Sequence, residues 1–595
     1  MAKKFIDVMD TTFRDGFQSV FGGRVLLNDF LPAVEAAKEA GITHFEFGGG
    51  ARFQVPFFYL NENAFDNMDK FREIVGPEAN LQTLARGVNT VMLDTGSREL
   101  VDLHAKMFKK HGTTTIRNFD ALNDVNNLID SGRSITNHGL KHEVVVTIMD
   151  LPPGCEGAHT VDFYEKILRD ILDAEIPYDS VCFKDATGTA NPQKIYETIS
   201  MARKLLPEGT HIRLHTQETA GISVAQNLAA LEAGADGIDA AANPVSGGTS
   251  QPDLLVMMHA IKGKNFDFGF DFEKILKYEA TLKECLADYF IPPEATMVEP
   301  LIQFSPMPGG ALTANTQMLR DNNMMEKFHD AILAMREVVE KGGYGTSVTP
   351  VSQFYFQQAL NNVMMGPWKK IAPGYGRMVL GYFGKTPVAP DQEIVKIAAE
   401  QLGLEPTTEK AIDLADKDEK KSVGFWKKRL EDEGIETSEE NIFIAAACDE
   451  KGITFLKGEA EVNVRKLSEM QKEEEECKGM GSGNYTVVVD GQKFSVQVAE
   501  GDADIQVTAV QGEAAAAPAA AVSGEGEEIK ALLPGNVWKI VANPGQSVAE
   551  GDKIMILESM KMEIDVVAPR GGVVKSINVN VNDKVVEGQV VAVLG

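Results

Sequence analysis

FIDVMDTTFRDGFQ, residues 5–18, decides between the two common ways of folding a long chain of alternating strands and helices. Phe5–Asp10 reads as a strand. A doubly wound nucleotide-binding sheet would place a glycine-rich phosphate loop directly after it. The chain continues instead with T-T-F-R-D-G-F-Q (Thr11 to Gln18). Seven further strand patterns follow: Thr43–Phe47, Leu81–Arg86, Thr115–Phe119, Glu143–Met149, Ser180–Lys184, Ile212–His215 and Gly237–Ala240. Helical patterns such as FLPAVEAAKEAG and SVAQNLAALEAG lie between them. Eight strands alternating with helices over residues 1–305 predict an α/β TIM barrel.

The rest of the chain changes character. Residues 306–465 open on P-M-P-G-G (Pro306 to Gly310) and then show helical spacing, as in MMEKFHDAILAMREVVEKGG, which predicts a mainly helical C-terminal extension of the barrel. Residues 466–510 hold the charged run EMQKEEEEC and an alternating stretch, YTVVVDGQKFSVQVAEG, that predicts a hairpin on an Asp-Gly turn. Residues 511–528 (QGEAAAAPAAAVSGEGEE) read as a flexible linker with a root-mean-square span of roughly 25 Å and a reach of about 60 Å. In residues 529–595, Gly535 to Leu557 aligns with Gly572 to Leu594, so that Gly535 matches Gly572, Ile540 matches Ile577, Val548 matches Val585 and Gly551 matches Gly588. A short-strand unit present twice predicts a small all-β domain, a flattened barrel with pseudo-twofold symmetry. E-S-M-K-M-E (Glu558 to Glu563) falls between the halves, where a hairpin tip would expose Lys561.

Composition narrows the partners. A formal net charge of -29 repels nucleic acid and anionic lipid. MAKKFIDVMDTT lacks the apolar stretch of a signal peptide, and no apolar run is long enough to span a bilayer, which predicts a cytoplasmic protein with no direct membrane insertion. Five scattered cysteines without a C-x-x-C pair predict free thiols.

In a TIM barrel, functional residues gather where strands meet the following loops. Those positions give Asp15, Arg86, Asp120, Lys184 with Asp185, and His215 with Gln217. Asp15, His215 and Gln217 offer oxygen and nitrogen to a divalent cation. A protonated Lys184 cannot ligate a metal and is costly to bury. Carbamylation would make it a carboxylate-like ligand; from the residues alone, an ion pair with Asp15 or Asp185 is the favoured alternative.

DTTFRDGFQS (Asp10 to Ser19), LQTLARGVN (Leu81 to Asn89), RNFDALNDVNNL (Arg117 to Leu128), CFKDATG (Cys182 to Gly188), HTQETAG (His215 to Gly221), SGGTSQP (Ser246 to Pro252), PMPGG and VTPVSQ (Val348 to Gln353) occur in that order. With the M-K-M lysine they resemble the biotin-dependent carboxyltransferase family, which includes pyruvate carboxylase and the α subunit of oxaloacetate decarboxylase. The domain arrangement resembles the free-standing B subunit of two-subunit pyruvate carboxylases. A lipoyl domain shares the small barrel, but its lysine usually follows an acidic residue and precedes alanine.

The resemblance implies biotin attached covalently to Lys561 by a biotin protein ligase, and carboxyl transfer between carboxybiotin and pyruvate or oxaloacetate. It implies a zinc, manganese or cobalt ion held by Asp15, His215, the Gln217 position and a carbamylated Lys184. Gln18 and Arg86 would contact the keto acid, and Thr349 would carry a proton between its methyl carbon and the biotin ureido nitrogen. No glycine-rich ATP-binding segment is visible, so a separate ATP-dependent biotin carboxylase subunit is expected, with a homo-oligomeric assembly. The alternatives are the α subunit of a sodium-pumping oxaloacetate decarboxylase and a non-catalytic biotin carrier or scaffold. Two departures stand out. H-T-Q replaces the usual H-T-H, which predicts weaker zinc binding, a shift toward manganese or cobalt, or a water at that position. Leu93 stands where many members have tyrosine, so one substrate hydrogen bond is missing or comes from elsewhere.

Overall fold

A computed structural model describes residues 3–472, 483–489, 492–498, 527–531, 535–559, 562–581, 583–586 and 588–595. Eight parallel strands close into a barrel: β1 (Asp7–Asp10), β2 (His44–Gly49), β3 (Asn80–Ala85), β4 (Thr115–Asn118), β5 (Lys141–Thr147), β6 (Ser180–Asp185), β7 (His211–Thr216) and β8 (Gly237–Ala240). Asp7–Asp10 pairs with Gly237–Ala240 to complete the ring. The first strand is shorter than the alternation predicts. Lys4 and Phe5 leave the barrel to pair with Phe266 and Asp267.

The barrel interior departs from the usual branched aliphatic filling. Arg117 on β4, Glu143 on β5, Arg213 on β7 and Asp239 on β8 all point inward and are 0–2% exposed. Arg117 donates through Nε to Glu143 and through Nη1 to Asp239, and Arg213 Nη1 reaches Asp239 at 3.2 Å. Burial would drive the Asp239 carboxyl up, but Arg117, His215 and Arg213 hold it well below the carboxylate range. Such a network is stable only while every charge keeps its partner; removing one member costs about 3–5 kcal/mol.

The helical extension does not form a separate body. Helix Glu439–Leu456 lays Phe443 against His104 and Phe108 of the barrel helix Arg98–Lys110. Residues 1–317 and 325–472 form one compact unit, and residues 473–595 with 318–324 form a second.

In the second unit, β9 (Gly483–Val489) and β10 (Gln492–Val498) pair antiparallel with Val489 opposite Gln492. The Asp-Gly turn between them lies outside the described residues, as does the linker up to residue 526. The terminal module contains β11 (Glu527–Lys530), β12 (Gly535–Ile540), β13 (Ser547–Val548), β14 (Lys553–Ser559), β15 (Met562–Val567), β16 (Gly572–Ile577), β17 (Lys584–Val585) and β18 (Val590–Leu594). They form two four-stranded antiparallel sheets, ordered β11-β18-β16-β13 and β15-β14-β12-β17. Each sheet takes its short strand from the opposite half, as a pseudo-twofold repeat requires. The repeat extends to its irregularities. A register shift falls between Val537 and Lys539 in one half and between Val574 and Ser576 in the other. Gly551 and Gly588 both sit at positive φ, 86° and 79°.

Cys155, Cys182, Cys285 and Cys448 are free thiols. Among the described residues no helix is long and apolar enough to cross a membrane.

Candidate active site

The turn leaving β1 carries the first site residues. Thr12–Gly16 is a π-helical turn, an uncommon geometry that recurs at functional sites. It buries Arg14 and Asp15. Arg14 donates to Asp15 Oδ1 at 2.7 Å and to Glu46 Oε1 at 2.6 Å. Burial alone would raise the Asp15 carboxyl; Arg14, Lys184 and His215 outweigh it and keep the group ionised.

Lys184 and Asp185 are successive residues of β6, so they face opposite sides. Asp185 serves the local turn, accepting from Thr187 Oγ1 at 2.7 Å and from the amides of Gly188 and Ala190 at 2.9 and 2.8 Å. Lys184 faces the mouth, and its Nζ lies 2.7 Å from His215 Nε2. Burial lowers the amine to about 8, with Asp15 opposing. Burial also pushes the His215 imidazole down to about 4, so the ring is neutral. Its Nδ1 donates to Asp239 at 2.8 Å, which leaves Nε2 to accept from Lys184. The ion pair with Asp15 or Asp185 suggested by the residues alone is replaced by this lysine–histidine hydrogen bond, because β6 aims Asp185 away and β7 brings His215 closer than Asp15.

Gln217 is held at both ends. Its Oε1 accepts the backbone N–H of Gly309 at 2.7 Å, and its Nε2 donates to Asp15 Oδ2 at 2.9 Å. A backbone N–H can only donate, so the amide orientation is fixed. The P-M-P-G-G segment makes this contact by close approach; a Cβ on Gly309 would collide with the Thr249 carbonyl oxygen. Gln251 is a second amide on Asp15 Oδ2. Its own oxygen accepts from Thr11 Oγ1 at 2.7 Å and from Ser250 Oγ at 3.2 Å.

Arg86 follows β3 and is 3% exposed. It donates through Nη1 to the carbonyls of Val91 and Met92 at 2.7 and 3.2 Å, while its Nε has no partner. Among the described residues no carboxylate pairs with it. Burial, with Arg14 nearby, pulls it down to about 10, so it remains cationic.

Asp15, Gln18, Arg86, Lys184, Gln217 and Thr349 line one cavity. Gln18 also accepts from Arg14 at 3.3 Å. His215 supports the cavity from behind Lys184. Asp120 lies on a smaller neighbouring cavity with Arg86, where burial and Asp124 raise its carboxyl to about 7. Leu93 is 43% exposed and is not part of the cavity wall, so it offers no substrate contact in the place of a tyrosine. Gln251, Asp239 and the anchoring role of Arg14 were not legible as site features. Inward parity on β8 could have flagged Asp239; nothing local flags Gln251.

The donors do not fit a divalent ion as they stand. The expected Gln217 ligand presents its NH₂, which has no lone pair to give, while its oxygen is committed to Gly309. Asp15 Oδ2 already receives two amide donors, and the free lone pair of His215 faces Lys184. Among the described residues no group of three His, Cys, Asp or Glu side chains could hold a metal. In the terminal module, β14 and β15 pair with Ser559 opposite Met562, so their ends leave only Met560 and Lys561 between them in sequence. Those two residues lie outside the described ones.

Residues 133–282 match the HMGL-like family, residues 302–505 the conserved carboxylase domain family, and residues 524–594 the biotin-requiring enzyme family. The chain is 29% identical to the B subunit of pyruvate carboxylase from Methanocaldococcus jannaschii over 94% of each chain. It is 28% identical to the 2-oxoglutarate carboxylase large subunit of Hydrogenobacter thermophilus, covering 95% of this chain and 91% of that one. Its fold matches the carboxyl transferase domain of Rhizobium etli pyruvate carboxylase with a TM-score of 0.70 at 25% identity, over 76% of this chain and 77% of that one. The chain belongs to the biotin-dependent carboxyltransferases and joins a carboxyltransferase to its own biotin-carrier domain, as a homologue of the pyruvate carboxylase B subunit.

Proposed function

We propose that the chain moves a carboxyl group between biotin on Lys561 and pyruvate or oxaloacetate, as the B subunit of a two-subunit pyruvate carboxylase. The observation that carries this reading is Arg86. A buried guanidinium without a carboxylate partner is costly, and its unpaired Nε edge at a cavity wall suits the carboxylate of a small keto acid. Lys184 and Gln18 share that wall and suit the keto oxygen, on which negative charge grows as the methyl carbon becomes nucleophilic. When bound, biotin supplies the carboxyl group on a ureido nitrogen. The methyl carbon would take up that group in exchange for a proton, and the same proton would replace the group on the nitrogen. The Thr349 hydroxyl, on the same wall, both accepts and donates in this relay.

The implied partners are a separate ATP-dependent biotin carboxylase subunit, a biotin protein ligase and further copies of this chain, in the cytoplasm. Exchange of labelled pyruvate with oxaloacetate by the biotinylated chain tests the reading. Exchange with 2-oxoglutarate in place of pyruvate would reassign the substrate, and co-purification with an integral membrane partner would favour the sodium-pumping decarboxylase.

A further inference from the structure

Around Asp15 and Lys184 the cavity carries an arrangement that the family resemblance does not predict. We infer that this centre works without a divalent metal, and that the uncarbamylated Lys184 ammonium is the cation facing the substrate keto oxygen. The inference rests on the carboxyl-transfer reading and deepens it.

Three observations carry it. First, Gln217 cannot rotate its oxygen toward the centre without setting its NH₂ against the Gly309 N–H, which leaves a buried backbone donor unpaired at a cost of about 1–3 kcal/mol. Second, three of the roughly four acceptor sites of Asp15 are taken, both of those on Oδ2 among them. Arg14 holds Oδ1, and two separately anchored amides, Gln217 and Gln251, hold Oδ2. The Gln251 amide is fixed in turn by Thr11 and Ser250, so both NH₂ groups occupy the space in which a cation would meet that oxygen. Third, Lys184 Nζ sits on the only free lone pair of His215, whose other nitrogen is committed to Asp239. Electrostatics permits the exchange. Turning an ammonium into a carbamate removes two positive charges, and a divalent cation restores two. The cavity therefore carries the same net charge with Lys184 alone, and that charge stays positive toward an anionic keto acid.

The test uses the full-length biotinylated chain, expressed with zinc, manganese and cobalt supplied and then dialysed. Elemental analysis is expected to find far less than one ion per chain. Native mass is expected to equal sequence plus biotin, with no carbamate on Lys184. Gln217→His is expected to raise the metal content toward one ion per chain, because an imidazole returns a lone pair to the centre. Label exchange by the wild type is expected to be insensitive to a chelator. A wild-type chain holding one ion through dialysis would overturn the inference. So would exchange that a chelator abolishes and one of the three cations restores, or a Gln217→His variant as metal-poor as the wild type. Metal-poor protein that exchanges no label under any condition would refute the carboxyl-transfer reading, while the metal content would still decide whether the centre holds an ion.

Discussion

At the barrel mouth, the cavity-lining side chains come from positions as far apart as Asp15 and Thr349, and Asp15 and Gln217 are held by partners that are themselves anchored. In the terminal module, the proposed attachment residue Lys561 falls in a sequence motif of six residues between two copies of one strand unit. The mouth is a preorganised electrostatic site. The module is a repeated frame that needs only to present one residue. A carrier must be accessible to an enzyme that modifies it and to two reaction centres. A reaction centre must instead bury its charges, because buried charges act more strongly on a substrate. Chemistry and transport therefore make opposite demands, and the chain meets them in two separate units.

The sharpest way to break this division is to remove the attachment point. Lys561→Arg should abolish label exchange completely, while the barrel unit keeps its unfolding transition; intact mass and calorimetry on one sample report both. Residual exchange would show that the lysine is not where the cargo sits. Next is the mouth. Arg86→Ala should lower kcat/KM for the keto acid about a hundredfold or more, the value of two charged hydrogen bonds, while biotin attachment stays complete. Thr349→Ala should reduce kcat about a hundredfold with little change in KM, because it removes a proton relay and not a binding contact. Equal losses in binding and turnover would argue against the relay.

The smallest effect separates the two regions by stability. All ten histidines lie before residue 330, and none lies in residues 473–595. Burial lowers His104 to about 3 and His142 and His159 to about 4. The unfolded chain takes up these protons near pH 6.5, whereas the folded barrel resists until far lower pH. Their contribution is therefore intact above pH 6.5 and declines as pH falls toward 4, by on the order of 1 kcal/mol per histidine per pH unit. Calorimetry between pH 7 and 5 should show the barrel transition moving down while the module transition holds. His104→Leu should blunt that shift.

Much of this was legible in the chain, for reasons that also explain the gaps. The eight barrel strands show as short runs with apolar outward positions between helical patterns, although their inward positions include Arg117, Glu143, Arg213 and Asp239. The first strand is shorter than expected, since the pairing of Lys4–Phe5 with Phe266–Asp267 is a contact between distant segments. Asp15, Arg86, Lys184, His215 and Gln217 could be found because the barrel concentrates chemistry at strand ends. The bearing of Gln217 could not. A glutamine side chain holds a ligand oxygen and a non-ligating NH₂ on one carbon, and only the Gly309 N–H, 92 residues away, selects between them. Gln251 and Asp239 were missed for the same reason: each acts through a neighbour that the fold supplies.

The central claim is that cargo on the module meets chemistry at the mouth. Exchange of labelled pyruvate into oxaloacetate by purified chain of verified biotin content tests it most directly. The account predicts exchange that scales with the biotinylated fraction; fully biotinylated protein that leaves the label in pyruvate would contradict it.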